Sequence, residues 1–258
     1  MAWADWLGEC ARRHPDRMAV LDGVGKRRHS FDGFDRRANQ IAHFCEQWVG
    51  LVPGNTIGLL SAPSDDVLQI VVAADKLGLS ALLLDPGASP EELIAAINTY
   101  GPRTVFYGLA QADLVHEIWF EVDSVEHLIP LRGAVDTANF EDIVAHYPPS
   151  LPSAATRLEQ RIPWVSFAAE QVTWSDWEAV ASAGLPGDGL GLAQAPLYRS
   201  QGLATALKGL YAGLCVRVES DRVEVIEPPA LLGPTEQHQS SSRRNMPTGP
   251  SWLPHEFM

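Results

Sequence analysis

Apolar residues recur at helical spacing over positions 3–14 (Trp3, Trp6, Leu7, Cys10, Ala11), which predicts an amphipathic helix. Met18–Leu21 reads as a short strand, Asp22–Arg28 is turn-rich, and Arg28–Phe31 leads into a helix from Asp32 to about Trp48. That helix presents Phe34, Ala38, Ile41, Ala42, Phe44 and Cys45 to one side. Pro53-Gly54 predicts a turn, Thr56–Leu60 and Ser80–Leu84 buried strands, and Asp65–Leu77 the helix between them. Ser89-Pro-Glu-Glu92 is a capping box with proline at the first helical position, opening a helix to about Tyr100, and Thr104–Tyr107 is the next strand. Strands that alternate with helices but lack internal alternation imply a parallel sheet covered on both faces, hence an α/β fold.

The stretch 109–161 is acidic and interrupted by Pro148, Pro149 and Pro152, with Glu117–Val122 and His127–Pro130 as candidate strands. Ile162–Phe167 and Gln171–Thr173 then read as two strands joined only by Ala168-Ala-Glu170. Ser175 with Glu178 forms a second capping box, opening a helix to about Ala183. Gly189–Ala195 reads as a strand, Gly202–Ala212 as a helix, and Leu214–Glu219 and Val223–Ile226 as strands. Gly233–Met258 has four prolines, four serines and almost no aliphatic periodicity, so residues 1–232 are expected to fold and 233–258 to form a disordered tail.

Composition narrows the function classes. With 46% hydrophobic and 20% charged residues the chain is that of a soluble globular protein. A net charge of −13 argues against nucleic acid or anionic lipid as a partner. The early basic residues, Arg12, Arg13, Arg17, Lys26, Arg27, Arg28, Arg36 and Arg37, read as solvated helix and loop faces, with a docking patch as the alternative. Cys10, Cys45 and Cys215 are far apart and in apolar or helical contexts, which predicts buried free thiols and no metal site. No signal peptide or apolar run of membrane-spanning length is present, so a cytoplasmic location is expected.

Several segments resemble the N-terminal domain of the adenylate-forming (AMP-binding) acyl-CoA and aryl-CoA synthetases and their nonribosomal-peptide adenylation relatives. His14–Gly23 looks like that family's opening strand. Ser30-Phe-Asp-Gly-Phe-Asp-Arg-Arg-Ala-Asn-Gln-Ile-Ala42 is similar to its T-Y-x-E-L-D-x-x-A-N-x-L-A helix, and Val52-Pro-Gly-Asn-Thr-Ile-Gly-Leu-Leu60 to its x-P-G-D-x-V-A-x-L strand. Ala73–Gly78 with Leu82–Gly87 fits the helix, glycine turn and strand that follow. Further on, Ala195-Pro-Leu-Tyr-Arg-Ser-Gln-Gly-Leu203 resembles x-P-L-F-H-x-x-G-L, which lines the family's carboxylate pocket. The resemblance implies a partial adenylate-forming N-terminal domain, with parallel sheets flanked by helices and with the family's C-terminal domain absent.

Adenylation joins a carboxylate to the α-phosphate of ATP and expels pyrophosphate, so a family member must hold three phosphates and Mg²⁺ and offset their charge. The family does this with a Ser/Thr/Gly/Lys loop at the junction between the two strands after Ile162, where this chain has Ser166-Phe-Ala-Ala-Glu-Gln171. That junction offers no glycine and no cation, and Glu170 would repel triphosphate. Only Lys26, Lys76 and Lys208 are present, and the family's catalytic lysine belongs to its C-terminal domain. In the pocket motif Tyr198 keeps an aromatic neighbour and Gly202 is retained, while Arg199 replaces histidine. Arg199 could grip a carboxylate by a bidentate pair or be a surface or interface arginine filling the vacated space. Gly233-Pro-Thr-Glu236 is identical to the family's Mg²⁺-associated G-P-T-E signature, making Glu236 a vestigial magnesium candidate, although only about thirty residues separate it from the pocket motif. Chance or a non-functional remnant is the favoured reading of that match.

The expectation is therefore a synthetase-like protein without catalytic residues of its own and with no cofactor. It would serve as an accessory or docking partner of an intact synthetase or an acyl-carrier system. The alternatives are an ATP-dependent acid–thiol ligase completed by a partner chain, which would use ATP and magnesium, and a truncated product with no role.

Overall fold

The computed structural model describes residues 5–23, 26–131, 140–153, 164–166, 171–172 and 191–227. In chain order these form α1 (Trp6–Arg13), β1 (Met18–Asp22), β2 (Arg28–Ser30), α2 (Phe31–Gln47), β3 (Thr56–Leu60), α3 (Asp65–Leu77), β4 (Ser80–Leu84), α4 (Pro90–Tyr100) and β5 (Thr104–Tyr107). They continue with α5 (Ala112–Ile118), β6 (His127–Pro130), α6 (Phe140–Val144), β7 (Trp164–Ser166), β8 (Gln171–Val172), β9 (Gly191–Ala193), α7 (Ser200–Tyr211), β10 (Cys215–Val218) and β11 (Val223–Ile226). The helix expected from Ser175, the tail and Glu236 lie outside the described residues.

Two sheets divide the strands. The six-stranded sheet has the order β6-β5-β3-β4-β7-β8 and is parallel except for the β7–β8 hairpin, in which Trp164 pairs with Val172. The five-stranded sheet has the order β2-β1-β10-β11-β9, and only its β1–β10 pair is parallel. The expected α/β fold with parallel strands flanked by helices is present, and the second sheet adds antiparallel pairs to it. Between β10 and β11 the chain has only Glu219–Arg222, closed by a hydrogen bond from Glu219 N to Arg222 O (3.0 Å), and so short a link permits only an antiparallel hairpin.

Helices α2 and α3 lie between the sheets. Along β4, Ala81 and Leu83 join the core shared with α2, α3 and the five-stranded sheet, whereas Leu82 and Leu84 join a second core under α4 and α5. Both faces of the strand are covered, which is why its sequence shows an unbroken apolar run. Helix α3 is buried at every position from Asp65 to Leu77: its middle is apolar on nearly all sides, and the charged residues at its two ends are buried with partners. The Ser64 side chain caps its start, and Gly78 ends it at φ 69°, a left-handed turn that glycine takes without strain. The Ser89/Glu92 capping box is formed as expected.

A correction concerns Glu117–Val122, where a short helix and a 3₁₀ turn (Trp119–Glu121) replace the expected strand. The contiguous Ile118, Trp119 and Phe120 suggest a strand, but the buried residues Val115, Ile118 and Val122 follow three- and four-residue spacing.

Candidate functional site

Register places one row of the six-stranded sheet at a common edge. Leu60 pairs with both Leu84 and Tyr107, so the next residues, Ser61, Asp85 and Gly108, emerge together at the carboxyl ends of β3, β4 and β5. β7 ends at Ser166, which pairs with Leu83, two positions before Asp85. The chain passes from β3 to β4 in one direction and then back across to β5. A reversal of this kind opens a crevice at the carboxyl ends of parallel strands, where α/β folds bind ligands.

The motif Ala195–Leu203 reaches the same edge from the other sheet. A turn closed by Arg199 N to Pro196 O (3.0 Å) leads into α7. Leu197 is fully buried and fixes the turn in the core, leaving Tyr198 half-buried and Arg199 exposed. A Cβ on Gly202 would sit 2.1 Å from the carbonyl oxygen of Pro196. Glycine is required here by backbone contact, so Gly202 shapes the turn.

Arg199 Nη2 donates to Asp85 Oδ2 at 2.6 Å, joining the start of α7 to the end of β4. The other Asp85 oxygen accepts from Gly87 N at 2.8 Å. The guanidinium carbon lies 5.7 Å from the Tyr198 ring centroid, within cation–π range. Burial and the Asp85 charge push the Tyr198 hydroxyl up, opposed by Arg199. Tyr198 and Arg199 thus lie side by side at this edge. Asp85 was missed, although a carboxylate directly after a buried strand was a readable signal.

The lysines are elsewhere. Lys76 is 2% exposed and donates to Asp5 Oδ1 (2.7 Å) and Asp35 Oδ1 (2.8 Å). It lies eleven residues along α3 from the edge, roughly 16 Å at 1.5 Å per residue. Lys208 is nine residues beyond Arg199, roughly 13 Å down α7, and Lys26 is exposed in the β1–β2 turn.

A second charged group surrounds the start of α3. Arg27 pairs with Asp65, with Asp66 (2.5 Å) and with Glu141 (2.8 Å). His29 Nε2 is 2.6 Å from Asp65 Oδ2, and Arg37 is 2.6 Å from Glu141. Burial would raise the Asp65 carboxyl, but hydrogen bonds from His29 and Asp22 and the charges of Arg27 and His29 take it down to about 2. This group ties β2, α2, α3 and α6 together.

Among the described residues no set of three His, Cys, Asp or Glu side chains is arranged to hold a metal, and no helix is long and apolar enough to cross a membrane. Burial pushes the Cys45 thiol up to about 12 and Cys215 to about 11, and all three cysteines are free.

Comparison with solved structures agrees with this architecture. The N-terminal domain of FACL13 from Mycobacterium tuberculosis superposes with a TM-score of 0.71 at 14% identity, over 84% of this chain and 57% of that one. A benzoate CoA ligase from Burkholderia xenovorans gives a TM-score of 0.70 at 16% identity, over 84% of this chain and 45% of that one. Long-chain fatty acid transport protein 1 of Mus musculus is 26% identical over 108 residues, 42% of this chain and 17% of that protein. The chain thus spans about half the length of these solved neighbours and under a fifth of that curated relative. A family model for AMP-binding enzymes matches residues 7–171, and with well over half of its length so matched the chain belongs to the AMP-binding enzyme family.

Proposed function

We propose that this chain keeps the family's scaffold without its adenylation chemistry. It would act as a non-catalytic accessory in carboxylate activation or acyl-carrier metabolism, docking to an intact synthetase or an acyl-carrier system. One observation carries the reading: the described cation at the candidate edge, Arg199, is already neutralised by Asp85. A nucleotide triphosphate needs uncompensated donors and cations, and the residues described at this edge do not fit one. Two features support the same reading. Lys76 is committed to Asp5 and Asp35 far from the edge, and the β7–β8 junction reads Phe167-Ala-Ala-Glu170, with no lysine, glycine or hydroxyl.

Isothermal titration with ATP·Mg²⁺ tests this. The expected result is no binding tighter than millimolar, and micromolar affinity would overturn it. The second reading, an ATP-dependent acid–thiol ligase completed by another chain, is favoured by the intact Leu197–Gly202 turn. It expects carboxylate-dependent pyrophosphate exchange in the presence of that partner and none without it.

A further inference from the structure

We propose that the outer face of the five-stranded sheet is an interface with a second copy of this chain. The helices packed on that sheet, α2, α3 and α7, all lie on its other face. His29 and Asp22 both reach Asp65 at the start of α3, and His29 meets Phe34 of α2 edge to face. A Cβ on Gly209 of α7 would meet Val225 at 2.7 Å and Val216 at 3.0 Å. Val20 pairs with both His29 and Val216, and Asp22 pairs with Val218, so the three helices share one face. Side chains alternate along a strand, so Arg28, Leu21, Arg217, Glu224 and Leu192 point the other way. Among the described residues no helix packs there.

Register sets these five side chains in one row. Arg28 is level with Leu21, Leu21 with Arg217, Arg217 with Glu224, and Glu224 with Leu192. A single exposed leucine is ordinary on a protein surface, and the order of the row is what identifies the partner. From β1 to β9 it reads leucine, cation, anion, leucine, at strand spacings of about 4.8 Å. Two copies can stack face to face about a twofold axis that runs parallel to the strands, midway between β10 and β11. Such an axis keeps each residue's height and exchanges β10 with the partner's β11 and β1 with the partner's β9. Arg217 then faces the partner's Glu224, Glu224 faces the partner's Arg217, and Leu21 faces the partner's Leu192. Self-complementarity of this kind is what an isologous interface requires.

The charges at the centre of the row are already in place. Glu224 accepts from Arg222 Nε on Oε1 (2.9 Å) and from Arg217 Nη1 on Oε2 (3.1 Å). These bonds, the one from Arg222 foremost, hold its carboxyl below the usual range. The Arg217 side chain is 41% exposed, and among the described residues it engages one donor of the five a guanidinium has. The others are available to the partner's Glu224. Stacked sheets lie about 10 Å apart, a gap that an arginine and a glutamate span together. Four alternating charges would close a ring at the axis, and Leu192, 55% exposed, would leave water against the partner's half-buried Leu21. The face measures roughly 25 Å by 13 Å, well under the ~800 Å² per partner of a standard interface. The dimer is therefore weak, with a dissociation constant on the order of 100 μM. The candidate edge at the carboxyl ends of β3, β4 and β5 belongs to the other sheet and stays open in it.

The test is sedimentation velocity on the full chain from about 10 μM to about 1 mM. In about 0.15 M salt the Debye length of about 8 Å screens the net charge of −13 on each copy and leaves the contact pairs. The parent is expected to pass from monomer to dimer across this range. Arg217→Glu sets carboxylate against carboxylate, and Glu224→Arg sets guanidinium against guanidinium, so each alone is expected to stay monomeric. An equimolar mixture of the two is expected to recover the dimer, because both contacts across the axis then pair opposite charges. Leu192→Asp, at an exposed position, is expected to weaken association by about ten-fold or more. A parent that is monomeric throughout overturns the proposal. So does a dimer that survives all three variants, or a mixture that stays monomeric while the parent associates. If either charge variant does not fold, Leu192→Asp decides, and association equal to the parent's overturns the interface. None of these outcomes bears on the non-catalytic reading, which stands or falls on ATP·Mg²⁺ titration.

Discussion

Lys76 and Arg199 are both cations held by aspartates, yet Lys76 is 2% exposed and the Arg199 side chain 44%. Lys76 sits where α1, α2 and α3 meet, bonded to Asp5 at the start of α1 and to Asp35 in α2, while Trp6 Nε1 reaches Asp75 beside it (2.9 Å). Every partner there comes from packed helices, and none can leave without exposing another. Arg199 meets one preset carboxylate at an open edge. The same pairing of charges serves as a buried clamp in one place and as a solvent-exposed contact in the other.

The largest expected effect tests the clamp. Lys76→Ala leaves the mostly buried Asp35 carboxylate without its cation and Asp5 with only the exposed Arg12, and breaking a buried pair in this way costs ~3–5 kcal/mol. Urea denaturation should show it; a loss under ~1 kcal/mol would mean that both carboxylates regain water and that the contrast with Arg199 fails.

Gly202→Ala comes next, and it probes whether the exposed Arg199 pair rests on a rigid frame. The added Cβ would meet the Pro196 carbonyl at 2.1 Å. Backbone cannot rotate aside as a side chain can, so the turn must shift, at the upper end of the ~1–3 kcal/mol typical of overpacking. The loss should be read from the same urea curves. An unchanged midpoint would show that the turn is loose and that Arg199 is not held in place from behind.

Asp65 tests a third position, buried like Lys76 but at the same end of α3 as the candidate edge. Its carboxyl is held at about 2 against an ordinary 3.8. Because the folded value is depressed, its contribution is complete above about pH 4 and disappears as pH falls towards 2. A shift of this size corresponds to about 2 kcal/mol. Stability measured between pH 5 and pH 2 should fall through that window, and Asp65→Asn should reduce the fall. An identical acid limb in the variant would remove Asp65 from the account.

The contrast between the buried Lys76 pairs and the exposed Arg199 pair also marks what the sequence could reveal. Local rules placed α3 to the residue and the start of α4 at Pro90, because Ser64 and Gly78 bracket one and Ser89 and Glu92 open the other. Runs such as Leu82–Leu84 identified strands covered on both faces. β2 escaped notice: three partly polar residues, Arg28–Ser30, at a sheet edge carry no apolar pattern. The motif Ala195–Leu203 located Tyr198 and Arg199 but not their partner. Asp85 is 114 positions away and reaches Arg199 only because two sheets with separate registers share an edge. Lys76 was recognisable as a lysine within a helix pattern, but its burial depends on the second sheet closing over α3.

The smallest expected effect is the one that most sharpens the comparison. Asp85→Asn removes the charge opposite Arg199 while keeping an oxygen for Gly87 N. Arg199 is close enough to water to be solvated when its partner is neutral, so the variant should lose less than ~1 kcal/mol of stability. Its urea midpoint should fall slightly at low salt and match the parent at high salt, where screening already weakens the pair. A loss above ~2 kcal/mol that persists at high salt would place Arg199–Asp85 with Lys76 among the contacts that hold the layers together. A near-neutral result leaves the guanidinium as a group whose partner can change, because no helix, strand or buried charge depends on the one it has.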